Sequence, residues 1–232
     1  GKLVSGNAIH NDAATADIQT SNMTGTTDQY YGHFFFGNAD IKNTSFDNNT
    51  LKTDGPNGVV YFNSSVKLYP TSYEVETPNT VTVTNSSFNG NKIESTGGTA
   101  SIYSTSKAGA VMIKGTNVTF NDVAFNDNAA SGGTHAQAMG GAVYLDTTSN
   151  TANHDGQKRV LKASATFNVT KDTTYAGNKV SGVDAYSDTY GSYAKTGGGF
   201  MYMDRGGDAN FNVADGVTLK IGKDGETDAN TD

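Results

Sequence analysis

The sequence predicts an all-β chain wound as a single-stranded, right-handed parallel β-helix of about five or six coils with variable loop insertions. Three observations carry this. Helix formers are scarce, with Leu, Glu and Arg all rare, while Thr, Val, Tyr and Phe are common. A glycine-led apolar run recurs at Gly58-Val59-Val60-Tyr61-Phe62, Gly109-Ala110-Val111-Met112-Ile113, Gly140-Gly141-Ala142-Val143-Tyr144-Leu145 and Gly198-Gly199-Phe200-Met201-Tyr202-Met203, with a looser copy at Gly32-His33-Phe34-Phe35-Phe36. An aromatic residue three places before an asparagine recurs at Phe46/Asn49, Phe88/Asn91, Phe125/Asn128 and Tyr175/Asn178, at intervals of 42, 37 and 50 residues.

In chain order, residues 1–30 hold few apolar positions and read as an irregular first coil or cap, residues 31–222 as the β-helix, and residues 223–232 as a polar acidic tail at the cut end of a longer chain. Phe34-Phe35-Phe36 between glycines suits a buried strand, Ile41 begins a polar-rich one, and Phe46 leads into an Asn-rich turn. Asp54-Gly55-Pro56-Asn57-Gly58 is a turn signal. Thr80-Val81-Thr82-Val83-Thr84 alternates strictly, as a strand with one buried face does. Gly109 to Asn128 is a minimal coil of three short strands, and later units repeat its order with Ala165-Thr166-Phe167-Asn168-Val169 and Ala209-Asn210-Phe211-Asn212-Val213. Loops 129–139, 146–158 and 181–197 separate the glycine-led copies. A propeller blade has a similar period but needs a four-stranded meander, and a unit of about 20 residues is too short for one.

Stacked coils should bring equivalent side chains into files about 4.8 Å apart. One expected inward file is Tyr61, Tyr144 and Tyr202. Another is Phe46, Phe88, Phe125 and Tyr175, beside asparagines able to bond one another's amides between coils. The glycine pairs Gly140-Gly141 and Gly198-Gly199 are expected to be corners, because a phosphate-binding loop would need a helix and a Lys to follow.

Composition limits the function. The net charge of -7 and the scattered basic residues argue against nucleic acid. With no cysteine there are no disulfides, thiolate metal sites or Cys nucleophiles. No apolar run approaches the ~18 residues of a membrane span, so no membrane insertion is expected of this segment. His10, His33, His135 and His154 lack metal-ligand spacing, so no metal-ligand residues and no cofactor are expected; the plentiful acidic loops leave calcium open, although no calcium-loop pattern occurs.

The Gly140-Gly141-Ala142-Val143 element, alternating with Phe46-Asp47-Asn48-Asn49, Phe88-Asn89-Gly90-Asn91 and Phe125-Asn126-Asp127-Asn128, resembles the repeats of the polymorphic outer membrane proteins of chlamydiae. It is also similar to other bacterial autotransporter passenger domains and adhesin-like surface proteins. Phe200 in place of Ala and Tyr175 in place of Phe depart from the pattern. The resemblance implies a right-handed parallel β-helix displayed on the bacterial cell surface, with an outer-membrane barrel elsewhere in the full chain. It implies adhesion to a host-cell surface protein or glycan, or self-association. A cell-wall-anchored or secreted adhesin fits the residues equally well.

The rival is a polysaccharide lyase or glycoside hydrolase, since such enzymes place two or three carboxylates on adjacent coils. Asp146 and Asp204 follow equivalent glycine-led strands at the same offset, with Asp208 nearby; the plainer reading is a polar turn leaving a strand. A binding surface is expected in loop 181–197, where Tyr186, Tyr190 and Tyr193 stand among Ser, Gly and Asp.

Overall fold

The computed structural model describes residues 10–11, 16–19, 27–28, 32–35, 37–52, 58–64, 78–95, 104–132, 136–151, 158–182, 185–187, 192–194, 196–204 and 206–222. These form a parallel β-helix without α-helices. A first sheet stacks His10–Asn11, His33–Phe35, Val60–Asn63, Val111–Lys114, Val143–Asp146 and Met201–Asp204. A second stacks Ala16–Gln19, Ala39–Lys42, Thr80–Thr84, Asn117–Asn121, Ser164–Val169 and Asp208–Val213. A third stacks Thr27–Asp28, Thr50–Lys52, Lys92–Glu94, Ala129–Ser131 and Lys179–Ser181. Every pairing within these three sheets is parallel, and the strands recur in the same order, so the described chain makes six tiers. Three strands of residues 1–30 stack in register on the next tier and make the first one. Residues 223–232 lie outside the described part.

The tiers hold together because inward positions of all three sheets are apolar. Alternation in Thr80–Thr84 puts Val81 and Val83 inside, and their register partners Val118 and Phe120, then Ala165 and Phe167, continue the same files. Phe46, Phe88 and Phe125 stack face to face, at centroid separations of 5.0 and 5.1 Å. At Tyr175 the expected file turns, the ring meeting Phe125 edge-on at 90° and stacking instead on Phe200 at 5.0 Å. The two departures from the repeat pattern therefore pack against each other.

Beside the rings, Asn49, Asn91, Asn128 and Asn178 are buried in one column. The Nδ2 of each of the first three donates to the Oδ1 of the next, at 3.0, 3.2 and 2.9 Å. The residue before each asparagine, namely Asn48, Gly90, Asp127 and Gly177, has positive φ, a conformation that Gly, Asn and Asp adopt at least cost. This is the corner that the aromatic-x-x-Asn spacing encodes.

The glycine pair divides its labour. Gly140 has φ +69 and turns the chain. Gly141 lies beneath the next tier, where a Cβ would sit 2.1 Å from the Gly199 carbonyl oxygen and 2.6 Å from the Lys179 backbone nitrogen. Gly32 falls out of line with the other copies: His33 pairs with Val60, which places Gly32 one position later than Gly58 in its strand. In the last tier, the equal 44-residue intervals from Phe167 to Phe211 and from Tyr175 to Leu219 would pair Tyr175 with Leu219; instead Tyr175 pairs with Ile221, and Leu219 with Thr173.

Two insertions carry hairpins outside the tiers, Thr148–Thr151 with Lys158–Leu161 and Ala185–Ser187 with Ser192–Ala194, both antiparallel. A further parallel pair, Ser104–Lys107 with Ala136–Met139, precedes the glycine corner in the fourth and fifth tiers.

Since backbone cannot move away from a new side chain at Gly141, Gly141→Val should lower the Tm by well over ten degrees or prevent folding, while Gly206→Ala, where a Cβ meets nothing within 4 Å, should cost about 1 kcal/mol through its positive φ alone. Thermal melting followed by circular dichroism checks the pair.

Candidate functional site

The glycine-led strands are apolar on both faces, so their alternation had to be observed. Val60 and Phe62, Val111 and Ile113, and Val143 and Leu145 join the main core. Tyr61, Met112 and Tyr144 belong instead to a second cluster on the outer face, with Phe34, Ala108 and Met139, and Tyr202 packed against it. The tyrosine file expected to point inward therefore faces outward, and Met112 interrupts it between Tyr61 and Tyr144. The reason is the period of two: a strand reading Val-Tyr-Phe-Asn sends Val and Phe to one side and Tyr and Asn to the other.

Two residues beyond the tyrosine file, a polar row shares its face. Asn63, Lys114, Asp146 and Asp204 are register partners on successive tiers. The rings of Tyr144 and Tyr202 stack at 5.6 Å with 2° between planes. The Lys107 Nζ stands 4.6 Å above the Tyr144 ring, a favourable placement for an ammonium over an aromatic face. The Tyr144 hydroxyl donates to Asp204 Oδ2 at 2.9 Å. Asp146 is only 7 % exposed, and its Oδ1 has no hydrogen-bond donor. Burial, with the charge of Asp204 and the hydrogen bond to it, pushes the Tyr144 phenol far above its ordinary range; burial and Asp146 do the same to Tyr61. Both stay neutral hydroxyls across the physiological range.

The structure thus brings Asp146 and Asp204 side by side, as their offsets predicted, but not Asp208. That residue opens the next strand in the second sheet, exposed and paired with Ser164. Tyr186 and Tyr193 are cross-strand partners in the outer hairpin. Tyr190 lies outside the described residues, as do His135 and His154. His33 is buried and meets Phe46 edge-on at 5.2 Å, a packing role.

Two further surfaces lie away from the expected site residues. A groove of about 450 Å³ runs where the second sheet turns toward the aromatic-x-x-Asn corner, lined by Asn43, Ser45, Asn85, Ser87, Asp122 and Lys171 among others. Within it, burial alone would raise the Asp122 carboxyl, but hydrogen bonds from Thr170 and the nearby Lys171 outweigh burial and hold it below its usual range. The second surface is the outer face of the second sheet. There Thr82, Thr119 and Thr166 form one file, with Thr84, Asn121 and Asn168 in the next. Asn212 Nδ2 donates to Asn168 Oδ1, and Asn168 Nδ2 to Asn121 Oδ1, each at 2.8 Å. Position-by-position alternation was legible there; the continuity across tiers depended on register.

Compared with family models, with curated proteins and with solved structures, the chain matches none.

Tyr61, Tyr144 and Tyr175 all have phenols raised above the ordinary value of 10.0. A folded-state value above the unfolded one gives a contribution fully present below pH ~10 and lost as pH rises further. Alkaline titration followed by phenolate absorbance should show exposed tyrosines ionising first. These three should ionise only together with loss of the β signal.

Proposed function

We propose that the chain is a non-enzymatic adhesion or aggregation module of a bacterial surface protein, held outside the cell and binding a host-cell surface protein, a glycan or further copies of itself. The observation that carries this reading is the outer face of the second sheet. Its central strands, Thr80–Thr84, Asn117–Asn121 and Ser164–Val169, present only Thr, Asn and Ser outward. Charges occur toward the ends, with Lys42 paired to Asp40 at 2.7 Å at one end and Asp208 at the other. A polar, uncharged surface with side chains tied between tiers is preorganised for contact and carries little desolvation cost per group. The repeat resemblance supports the same reading, as does a constant core from which insertions of differing length emerge. The net charge of -7 disfavours nucleic acid as a partner.

The second reading, a polysaccharide-active enzyme using Asp146 and Asp204, is favoured by their register across adjacent tiers. The burial of Asp146 weighs against it, because a catalytic carboxylate must reach its substrate.

Sedimentation velocity and binding to host cells and immobilised glycans test the proposal. The expected result is self-association or saturable binding, with the glycan recovered at its original length. Thr119→Lys combined with Thr166→Glu adds an opposite-charge pair between tiers, so it should leave the Tm within a few degrees while weakening association at least tenfold. Unchanged association in that variant would remove the face from the account, and shortened glycan products would favour the enzyme.

A further inference from the structure

Just after the second sheet the chain bends at Asn43, Asn85 and Asp122, whose φ values are 50, 48 and 51. The three stand in one column, because the N–H of each donates one tier onward, to the carbonyls of Thr84, Asn121 and Asn168. Ser45, Ser87 and Ala124 form a second column, Ser45 bridging to Ser87 and Ser87 pairing with Ala124. Thr44, Ser86 and Val123 lie between the two columns and are buried. Both columns line the groove of about 450 Å³, and Lys171 and Thr173 carry it on to the fifth tier. It therefore runs from the second tier to the fifth, three steps of about 4.8 Å along the axis.

The polar groups of this groove divide into two sets. The buried hydroxyls are satisfied within the chain, Thr44 by the Lys42 carbonyl and Ser86 by that of Thr84. Asp122 is held by Thr170, whose N–H and hydroxyl donate to its two oxygens at 2.7 and 2.5 Å. The exposed carboxamides of Asn43 and Asn85 and the Ser45 hydroxyl make no hydrogen bond among the described residues. Lys171 is exposed and takes no part in the ion pairs described, Lys42–Asp40 and Lys52–Glu94. Donors and acceptors thus alternate along a concave track whose backbone bends are fixed by the tier register.

We propose that this groove binds a linear, uncharged oligosaccharide lying along the helix axis, with one sugar ring on each tier. A pyranose unit in an extended chain is about as long as one tier is deep, so successive rings meet successive copies of the same corner. Each sugar hydroxyl both donates and accepts, and so do the carboxamides of Asn43 and Asn85. The methyl groups of Thr44 and Thr173, with Val123 and Ala124, offer the small apolar patches that a ring face needs. An extended peptide suits the groove less well. Ser87 is paired on both sides, with Ser45 and Ala124, so no strand edge is open there for a peptide to join. A polyanion suits it less well too, because the Asp122 carboxylate offsets Lys171. Contacts on one open side, made by a few hydroxyl-type hydrogen bonds, place Kd on the order of 1 mM. The groove borders the Thr and Asn face of the second sheet but is a separate site, so it stands whether or not that face associates.

The test is titration of the isotope-labelled full chain with linear tetrasaccharides of glucose, mannose, galactose and N-acetylglucosamine, each alone, followed by amide chemical shifts. A tetrasaccharide of galacturonic acid is the charged comparison. At least one neutral tetrasaccharide should give saturable shifts centred on residues 43–45, 85–87 and 122–124. Asn43→Gly with Asn85→Gly removes both carboxamides and keeps the bends, since glycine adopts positive φ freely. That double variant should melt within a few degrees of wild type and bind about tenfold more weakly. Asn48→Gly, an exposed residue of positive φ at the other corner, should leave binding unchanged. The proposal is overturned if no neutral tetrasaccharide binds, if the shifts map elsewhere, if only the acidic one binds, or if a folded double variant binds as wild type does. Mapping on the wild type decides the matter even where a variant fails to fold. Neither result depends on self-association: a chain that stays monomeric can still bind a tetrasaccharide here, and the reverse.

Discussion

The column of buried asparagines is the interaction on which the remaining structure depends. Asn128 shows what it does. Its Oδ1 accepts from the backbone N–H of Asn91 at 3.0 Å and from Asn91 Nδ2 at 3.2 Å. Its Nδ2 donates to the Phe88 carbonyl at 2.7 Å and to Asn178 Oδ1 at 2.9 Å. Both protons and both lone pairs of one carboxamide are used, and the partners lie on the tiers on either side. A β-helix corner interrupts the ladder and would strand backbone groups in the core; the carboxamide supplies what the missing strand does not. Register follows from this, since Asn49, Asn91, Asn128 and Asn178 are in line only when each tier starts at the same point. A slip by one residue would send every inward Val and Phe to solvent.

The fixed register sets the outer faces too. It lines up Thr82, Thr119 and Thr166, stacks Tyr144 on Tyr202 and puts Asp146 beside Asp204. None of these contacts is local in the chain. The aromatic file adapts where its members change: Tyr175 stands edge-on to Phe125, and Phe200, where the earlier copy has Ala142, supplies a new stacking partner. In the sixth tier, Met203, Phe211, Val213 and Ile221 are exposed among the described residues.

Much of the fold was legible because its signals are short and repeated. Phe-x-x-Asn marks a corner with a left-handed residue at its third position, and Thr-Val-Thr-Val-Thr states which side is buried. The asparagine ladder and the neighbouring Asp146 and Asp204 followed from spacing alone. The direction of Tyr61 and Tyr144 did not, since a strand apolar on both faces gives alternation no polar residue to reveal its sense. Met112 as their spacer, and the shift that pairs Tyr175 with Ile221, depend on insertion lengths that no local pattern encodes. The burial of Asp146, Lys107 over Tyr144 and the groove beside Asp122 arise from elements distant in sequence. Of the expected tyrosine surface in loop 181–197, the sequence indicated composition but not the hairpin that makes Tyr186 and Tyr193 partners.

The most direct measurement is urea unfolding of Asn128→Ala beside Asn168→Ala, two identical truncations in inter-tier asparagine ladders, one buried and one on the outer face. If the buried column organises the fold, Asn128→Ala loses about 3 kcal/mol or more, because it leaves several buried partners unsatisfied, and Asn168→Ala loses under about 0.5 kcal/mol. Equal losses in the two variants would contradict the account.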